Sequence, residues 1–293
     1  MGDSANGRRR EVMTSTLRCM SALELLAKDP YEYTLSQVAA SLSVNLTTAH
    51  RVLTTLLEAG LVEQQAASKR FRVTGKMLWV GTAYLRHNPV FLASYAILEE
   101  LARQVNLMTH LAVWERDAVL YIHTVGPPGT QNLFAQIGER IPAHCTALGK
   151  AMLAWRPEAD LRRVFETPPA AYTERTITAL PAMQKELERI RAVGYAVDNE
   201  EGIPGMRCLA APVRDQSGVA RAAISVSATV AEVPHASVAK FARPIQDAAL
   251  RVSVQLGYRP TLLNPIAGKV TAKARALTVE THPSRSGRKE RKR

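Results

Sequence analysis

The chain has 293 residues, 46% of them hydrophobic and 22% charged, and a formal net charge of +12. That length exceeds one small domain by about two hundred residues, and the apolar fraction is that of a folded protein, so two domains with separate cores are expected. Three cysteines, Cys19, Cys145 and Cys208, are too few and too scattered for a disulfide framework or a zinc knuckle, and no run of 18 apolar residues marks a membrane span. Residues 1–11 read as a basic tail. Its Arg8-Arg9-Arg10 run is not followed by the apolar core of a signal peptide, because Glu11, Arg18 and Glu24 interrupt it. A reduced, cytoplasmic setting is expected.

Residues 12–74 read as a compact unit of helices and a β-wing. Cys19, Met20, Leu23, Leu26 and Ala27 mark the buried side of a first helix that ends before Pro30. Thr34 to Gln37 has the S/T-x-x-Q form of a capping box, and Leu35, Val38, Ala39 and Leu42 follow at helical spacing. After the break at Ser43 to Asn45, Asn45 caps a second short helix with an apolar stripe of Leu46, Ala49, Leu53, Leu56 and Leu57. Thr47, Thr48, His50, Arg51 and Thr55 are left on its other side. A turn this short between two such helices predicts a helix-turn-helix. Short hydroxyls and a guanidinium near the start of the second helix suit a major groove. The plain alternative is a solvated face on an ordinary helical hairpin. Gly60 stops the helix, and Leu61 to Val73 reads as two strands around an AASK turn, a wing carrying Lys69, Arg70 and Arg72. The candidate DNA-binding residues are therefore Thr47, Thr48, His50, Arg51, Lys69, Arg70 and Arg72.

Residues 75–88 read as a linker helix in which Met77, Val80, Gly81 and Tyr84 form a stripe, suited to packing on a second copy or on its own domain. Residues 89–265 read as mixed α/β. Helices are expected at Phe91 to Val105, Ala147 to Trp155, Pro181 to Val193 and Val238 to Leu256. Strands are expected at Thr109 to Trp114, Ala118 to Val125, Leu133 to Ile137, Cys208 to Arg214 and Arg221 to Ala228. The order lacks a regular βαβ rhythm, which favours an antiparallel sheet flanked by helices, and the whole chain is α+β. Charge is segregated: residues 1–86 carry 11 Lys+Arg and 7 Asp+Glu, residues 87–265 carry 18 and 17, and residues 266–293 carry 9 and 2. Positive potential thus lies in the N-terminal unit and in a basic tail, 266–293, expected to be disordered.

Three places in the second domain hold candidate chemistry. In Gly138 to Ala151, GERIPAHCTALGKA, a loop enters a helix near Thr146, where free backbone amides suit an anion. It is not a Walker loop, because His144 stands at the first glycine and Ala151 replaces Ser/Thr. Asp198 and Cys208 flank a loop bent by Gly202, Pro204 and Gly205. Ser225 and Ser227 share one face of a strand, with Ile224 and Val226 on the other. Each has a dull reading: a turn cap, a small core thiol, solvent-facing serines. An enzyme with Cys208 as nucleophile, or zinc held by His144, Cys145 and Cys208, has no spacing signature in its favour. No catalytic residue, metal or cofactor is expected.

In combination, TTAHRVLTTLLEAGLV, GERIPAHCTALGKAMLA, GYAVDNEEG with MRCLAAPVRD, and AAISVSA before a long last helix resemble the isocitrate lyase regulator (IclR) family of bacterial transcription factors. The resemblance runs from about Ser15 to Tyr258. YIHTV, GKAMLAW, ERTIT, YAVDNEEG and VQLGY are most similar to its KdgR-like subgroup, regulators of sugar-acid catabolism. It implies an N-terminal winged helix-turn-helix, a linker helix and a C-terminal GAF-like α/β effector domain. It also implies an effector pocket of Leu133, Ile141, Ala147, Leu148, Asp198, Met206, Cys208, Ser225 and Ser227 for a small carboxylate: a sugar, keto or aromatic acid. The implied partners are a roughly palindromic double-stranded operator and further copies of the chain, as dimer or tetramer. The implied action is repression of a catabolic operon, relieved by ligand. The rival reading is a ligand-sensing module acting through protein partners. Leu46 departs from the family, standing where many members carry Lys or Arg.

Overall fold

The computed structural model describes residues 13–28, 30–127 and 137–260. The chain divides into two compact units between His87 and Asn88.

In the first unit, α1 (Thr14–Leu26), α2 (Leu35–Ser41) and α3 (Leu46–Glu58) precede the paired strands β1 (Val62–Gln64) and β2 (Phe71–Val73) and helix α4 (Gly75–His87). The Thr34 hydroxyl accepts the Gln37 amide at 3.2 Å while the Gln37 side chain accepts the Thr34 amide at 2.8 Å, so the capping box at the start of α2 is complete. Such a cap contributes about 1 kcal/mol. Asn45 caps α3 by accepting the Thr48 amide at 2.8 Å. Gly60, at φ +67°, ends α3 with a bond from the Leu61 amide back to the Leu56 carbonyl.

Two apolar assignments shift. On α1 the buried residues are Ala22, Leu23 and Leu26, while Met20 is 48% exposed and Ala27 sits beyond the last packed turn. On α3 the stripe is Ala49, Val52, Leu53 and Leu56, at the i, i+3, i+4, i+7 spacing that one packed face requires. Leu46 lies one turn outside it, at the first helical position, and is 53% exposed. The wing strands are three residues each, and Tyr33 adds a bridge to Phe71 that closes the sheet on the helices.

The second unit opens with α5 (Pro89–Val105), capped by Asn88. Strands β3 (Met108–Glu115), β4 (Ala118–Val125) and β5 (Arg140–Pro142) lead to α6 (Ala147–Leu153), α7 (Glu158–Val164) and α8 (Leu180–Val193). Then come β6 (Ala196–Asn199), β7 (Met206–Arg214), β8 (Ala220–Thr229) and the closing helix α9 (Val238–Gln255). The six strands form one antiparallel sheet in the order β5-β4-β3-β8-β7-β6. Ala112, Tyr121, Ala210 and Ala223 share a core with Ala147, Leu148, Ala151 and Met152 of α6 and Met183, Leu187 and Ile190 of α8. On the alternate strand positions, the His123 ring stacks on Tyr95 of α5 with centroids 5.0 Å apart, and the Arg214 amide donates to Ser253 of α9 at 2.9 Å. Helices thus cover both faces, which is why β8 is buried at seven consecutive residues, Ala222 to Ala228, rather than in alternation; exposed Arg221 separates this run from buried Ala220.

Three elements escape the sequence reading: β5, α7 and β6. The two strands have three and four residues, and β6 ends in Asp198-Asn199, residue types depleted in strands. The expected strand Leu133 to Ile137 lies outside the described residues except for Ile137, which is in a turn. The tails 1–11 and 266–293 lie outside them as well.

Candidate functional site

Helix α3 presents Thr47, His50 and Arg51 to solvent, with Thr48 partly covered where its amide is capped by Asn45. The Thr55 hydroxyl is turned back on the Arg51 carbonyl at 2.9 Å. The wing cations are not equivalent. The Arg72 guanidinium pairs with Glu63 at 2.6 Å and with Glu32 at 3.5 Å, and the Glu63 bond raises its pKa further. Arg70 donates to the Glu32 carbonyl at 3.2 Å and is half-buried. Lys69 stands at the turn with φ +58°, and among the described residues its ammonium has no ion pair or hydrogen bond. An open groove of about 380 Å³ lies between α3 and the wing, lined by His50, Thr54, Gln64, Ser68 and Lys69. On α4 no residue is buried: Leu78 is 71% and Trp79 64% exposed, with Val80 and Tyr84 also on the surface, so the apolar face is wider than the expected stripe.

In the second unit, strand register assembles the other candidate residues. Asp198 opposes Cys208, Cys208 opposes Ser227, and Ser227 opposes Met108, making one row across β6, β7, β8 and β3. The neighbouring row is Ala196, Ala210, Ser225 and His110. Directly opposed residues share a sheet face, and residues two apart along a strand share it too, so these two rows line the side packed by α6. Ser225 and Ser227 are buried, not solvent-facing, and the Cys208 thiol lies 3.2 Å from the Ser227 hydroxyl.

Asp198 is buried and accepts the Glu201 amide at 2.8 Å. Burial pushes its carboxyl up to about 6, the Glu201 charge adding to the rise, against the backbone amides of Glu201 and Gly202 and the charge of Lys150. Lys150 is itself fully buried. Its ammonium donates to the Val197 carbonyl at 2.7 Å and to the Glu201 carboxylate, with Glu186 at 3.6 Å. This accounts for the Gly-Lys pair that imitates a phosphate loop. A Cβ on Gly149 would lie 2.2 Å from the Ala143 carbonyl, so only glycine lets α6 approach the preceding segment, and the lysine then locks α6 to β6.

Thr146 caps α6 by accepting the Gly149 amide at 3.2 Å, and its hydroxyl donates to the Pro142 carbonyl. Ala147 and Leu148 are the first two residues of α6, where amides have no carbonyl one turn back to bond. Ile141 and Cys208 pack on the same core, and Met206 is buried where β7 begins. Leu133 lies outside the described residues.

The thiols do not suit nucleophilic chemistry. Burial pushes Cys145 and Cys208 each up to about 12, with Asp198 adding to both, so both are neutral near pH 7. His144 is bonded through Nε2 to the Ala170 carbonyl at 2.9 Å. Among the described residues no three His, Cys, Asp or Glu side chains are placed to hold a metal, and no helix is long and apolar enough to cross a membrane.

Two residues that sequence reasoning missed stand on this face. His110 is fully buried, its Nδ1 3.2 Å from the Thr124 hydroxyl, and it meets the Tyr121 ring edge-on at 5.3 Å. Burial lowers its pKa to about 4. Burial also raises the Tyr121 phenol, with the charges of Cys208, Glu139, Asp198 and Cys145 adding to the effect. The signal in the sequence was strand phase: His110 alternates with Leu111 and shares its face with Ala112.

Comparison with known proteins covers both units. The model described as bacterial transcriptional regulator IclR C-terminal matches residues 82–254, and the IclR helix-turn-helix domain matches residues 15–66. The chain is 29% identical to the HTH-type transcriptional regulator KdgR of Escherichia coli K12, over 84% of this chain and 94% of that one. It is 32% identical to the regulator BhcR of Paracoccus denitrificans, over 83% and 87%. An IclR transcriptional regulator of Alicyclobacillus acidocaldarius superposes with a TM-score of 0.75 at 28% identity, over 84% and 99%.

Proposed function

Because the chain belongs to the IclR family of helix-turn-helix transcriptional regulators, which are not enzymes, we propose that it is a repressor of a catabolic operon, released from its operator by a small carboxylate. Residues 12–74 bind DNA, 75–88 link, and 89–265 receive the effector. In this reading Arg51, with Thr47, Thr48 and His50, reads base edges in the major groove, and Lys69 neutralises a phosphate beside it. Arg70 and Arg72 serve mainly to hold the wing, since their guanidinium groups are engaged by Glu32 and Glu63. The exposed Leu78, Trp79, Val80 and Tyr84 pair with the same helix of a second copy, which sets two α3 helices against the half-sites of a palindrome. The effector domains then pair dimers into tetramers. The basic segment 266–293 adds sequence-independent contacts to the duplex.

The observation that carries the effector site is the polar row beside the start of α6, in which buried Asp198 and Ser227 flank half-buried Cys208. Asp198 accepts the Glu201 amide and Cys208 bonds Ser227, and the donor and acceptor capacity these side chains keep beyond those bonds suits a ligand with hydroxyl and carboxylate groups. Asp198, carrying no neighbouring free cation, accepts a hydrogen bond from a ligand hydroxyl or orients Glu201, while Ser225, Ser227 and the Ala147 and Leu148 amides take the carboxylate. A ligand acts by the difference in its affinity for the DNA-competent and incompetent states. Selection of duplexes from random sequence, followed by anisotropy titrations with sugar, keto and aromatic acids, tests the proposal. A roughly palindromic consensus released by one of these acids is expected. Absence of sequence-specific binding would contradict the operator reading, and binding indifferent to all of them would contradict the effector class.

A further inference from the structure

We propose that His110, through Nε2, is a specificity contact that takes a hydroxyl group of the effector, so that the site selects hydroxylated acids over their unhydroxylated counterparts. The inference rests on the reading of the α6-side sheet face as the effector pocket. On that face His110 lies in the same row as Ser225 and one row from Ser227 and Cys208. Its Nδ1 is taken by Thr124, and Tyr121 fixes the ring from the side. Nε2, a distal atom of the ring, is thus presented above the strand, fully buried and with no hydrogen-bond partner among the described residues. A buried polar atom left in that condition is costly, so something is expected to bond it.

The chemistry of the surroundings narrows what that is. The imidazole is neutral near pH 7, since burial lowers its pKa to about 4. The two buried Lys or Arg side chains among the described residues are both engaged elsewhere, Lys150 by Val197 and Glu201 and Arg207 by Asn199 and the Val233 carbonyl. No positive charge therefore favours a carboxylate at His110. A hydroxyl both donates and accepts, so it satisfies Nε2 in either tautomer, whichever way the Thr124 hydroxyl is turned. A site that bonds a ligand hydroxyl rejects the analogue lacking it, because the site's own group is then left unpaired.

Calorimetric titration of the full chain with three pairs of acids tests this: D-gluconate and hexanoate, D-glycerate and propionate, 4-hydroxybenzoate and benzoate. The wild type is expected to bind at least one hydroxylated acid about 10-fold or more tightly than its partner. His110→Ala is expected to remove most of that preference, and His110→Gln, which keeps a donor and an acceptor, to retain part of it. Should His110→Ala not fold, the imidazole ¹⁵N signals of the wild type decide, with Nε2 shifting on addition of the hydroxylated acid and not of its partner. A preference that survives in folded His110→Ala, an unmoved Nε2 signal explained by an internal water only, or no binding of any hydroxylated acid would overturn the inference. Cys208→Phe separates the two levels. Binding that persists in it strikes the pocket itself, whereas binding lost there with the hydroxyl preference intact in His110→Ala strikes only the role of His110.

Discussion

Lys150 and Glu201 form an ion pair with both side chains buried, and the same ammonium bonds the Val197 carbonyl next to Asp198. Helix α6 is thereby fastened to the strand and turn that carry the acidic end of the polar row. Breaking such a pair leaves one charge buried and alone, which costs about 3–5 kcal/mol. Lys150→Met should lower stability by that order in urea denaturation, and adding Glu201→Gln should recover part of the loss. Equal stability of Lys150→Met and wild type would show the pair to be incidental.

The position of Asp198 predicts a pH dependence. Its carboxyl is held at about 6 in the folded protein against an ordinary value of 3.8. Across that interval the folded chain keeps a proton that the unfolded chain has released, so this group's contribution is most favourable below 3.8 and falls as pH rises through about 6. The loss is on the order of 3 kcal/mol. His110, His123 and His144, all lowered chiefly by burial, act in the opposite direction, so the comparison of interest is wild type against Asp198→Asn. The variant should gain stability relative to wild type as pH is raised from 4 to 7. A constant difference over that range would mean that Asp198 titrates normally.

On the DNA side, Arg51→Ala should weaken binding to the selected operator by roughly 1–3 kcal/mol while sparing random duplex, if it reads a base. Lys69→Ala should weaken both and reduce the salt slope by about 1. Arg72→Ala should act through wing stability instead, because its partners are Glu63 and Glu32. Gel shifts with folded variants at several salt concentrations check the three together, and unchanged operator binding by Arg51→Ala would remove its reading role.

These distinctions show where the sequence was legible. Caps are local, so Thr34, Asn45 and Gly60 could be placed from residue type and spacing alone. The side-chain phase of β8 was equally plain, because Ser225 and Ser227 alternate with Ile224 and Val226. Burial was harder. Met20 and Ala27 fit a helical stripe as well as Ala22 does, and only the direction from which α3 packs decides between them. Glu32, about forty residues away, holds Arg70 through its backbone carbonyl and Arg72 through its carboxylate, pairings that spacing cannot reveal. Nor could the sequence show that Lys150 points inward to Glu201, 51 residues on, instead of outward to a ligand. His110 is illegible in the sequence, because a single histidine in a strand carries no spacing signal until its neighbours on β4 and β8 are known.

In the proposed mechanism a small carboxylate bound along Asp198, Cys208 and Ser227 loosens the grip of α3 on the operator. Fluorescence anisotropy with the selected operator, titrated with and without the releasing acid, measures this directly in the wild type, Cys208→Phe and Ser225→Phe. Bulk at half-buried Cys208 and buried Ser225 should fill the face next to α6 while leaving the other unit unchanged. Both variants should bind the operator with wild-type affinity and lose the response to the acid. Folded variants that are released as readily as the wild type would overturn this mechanism.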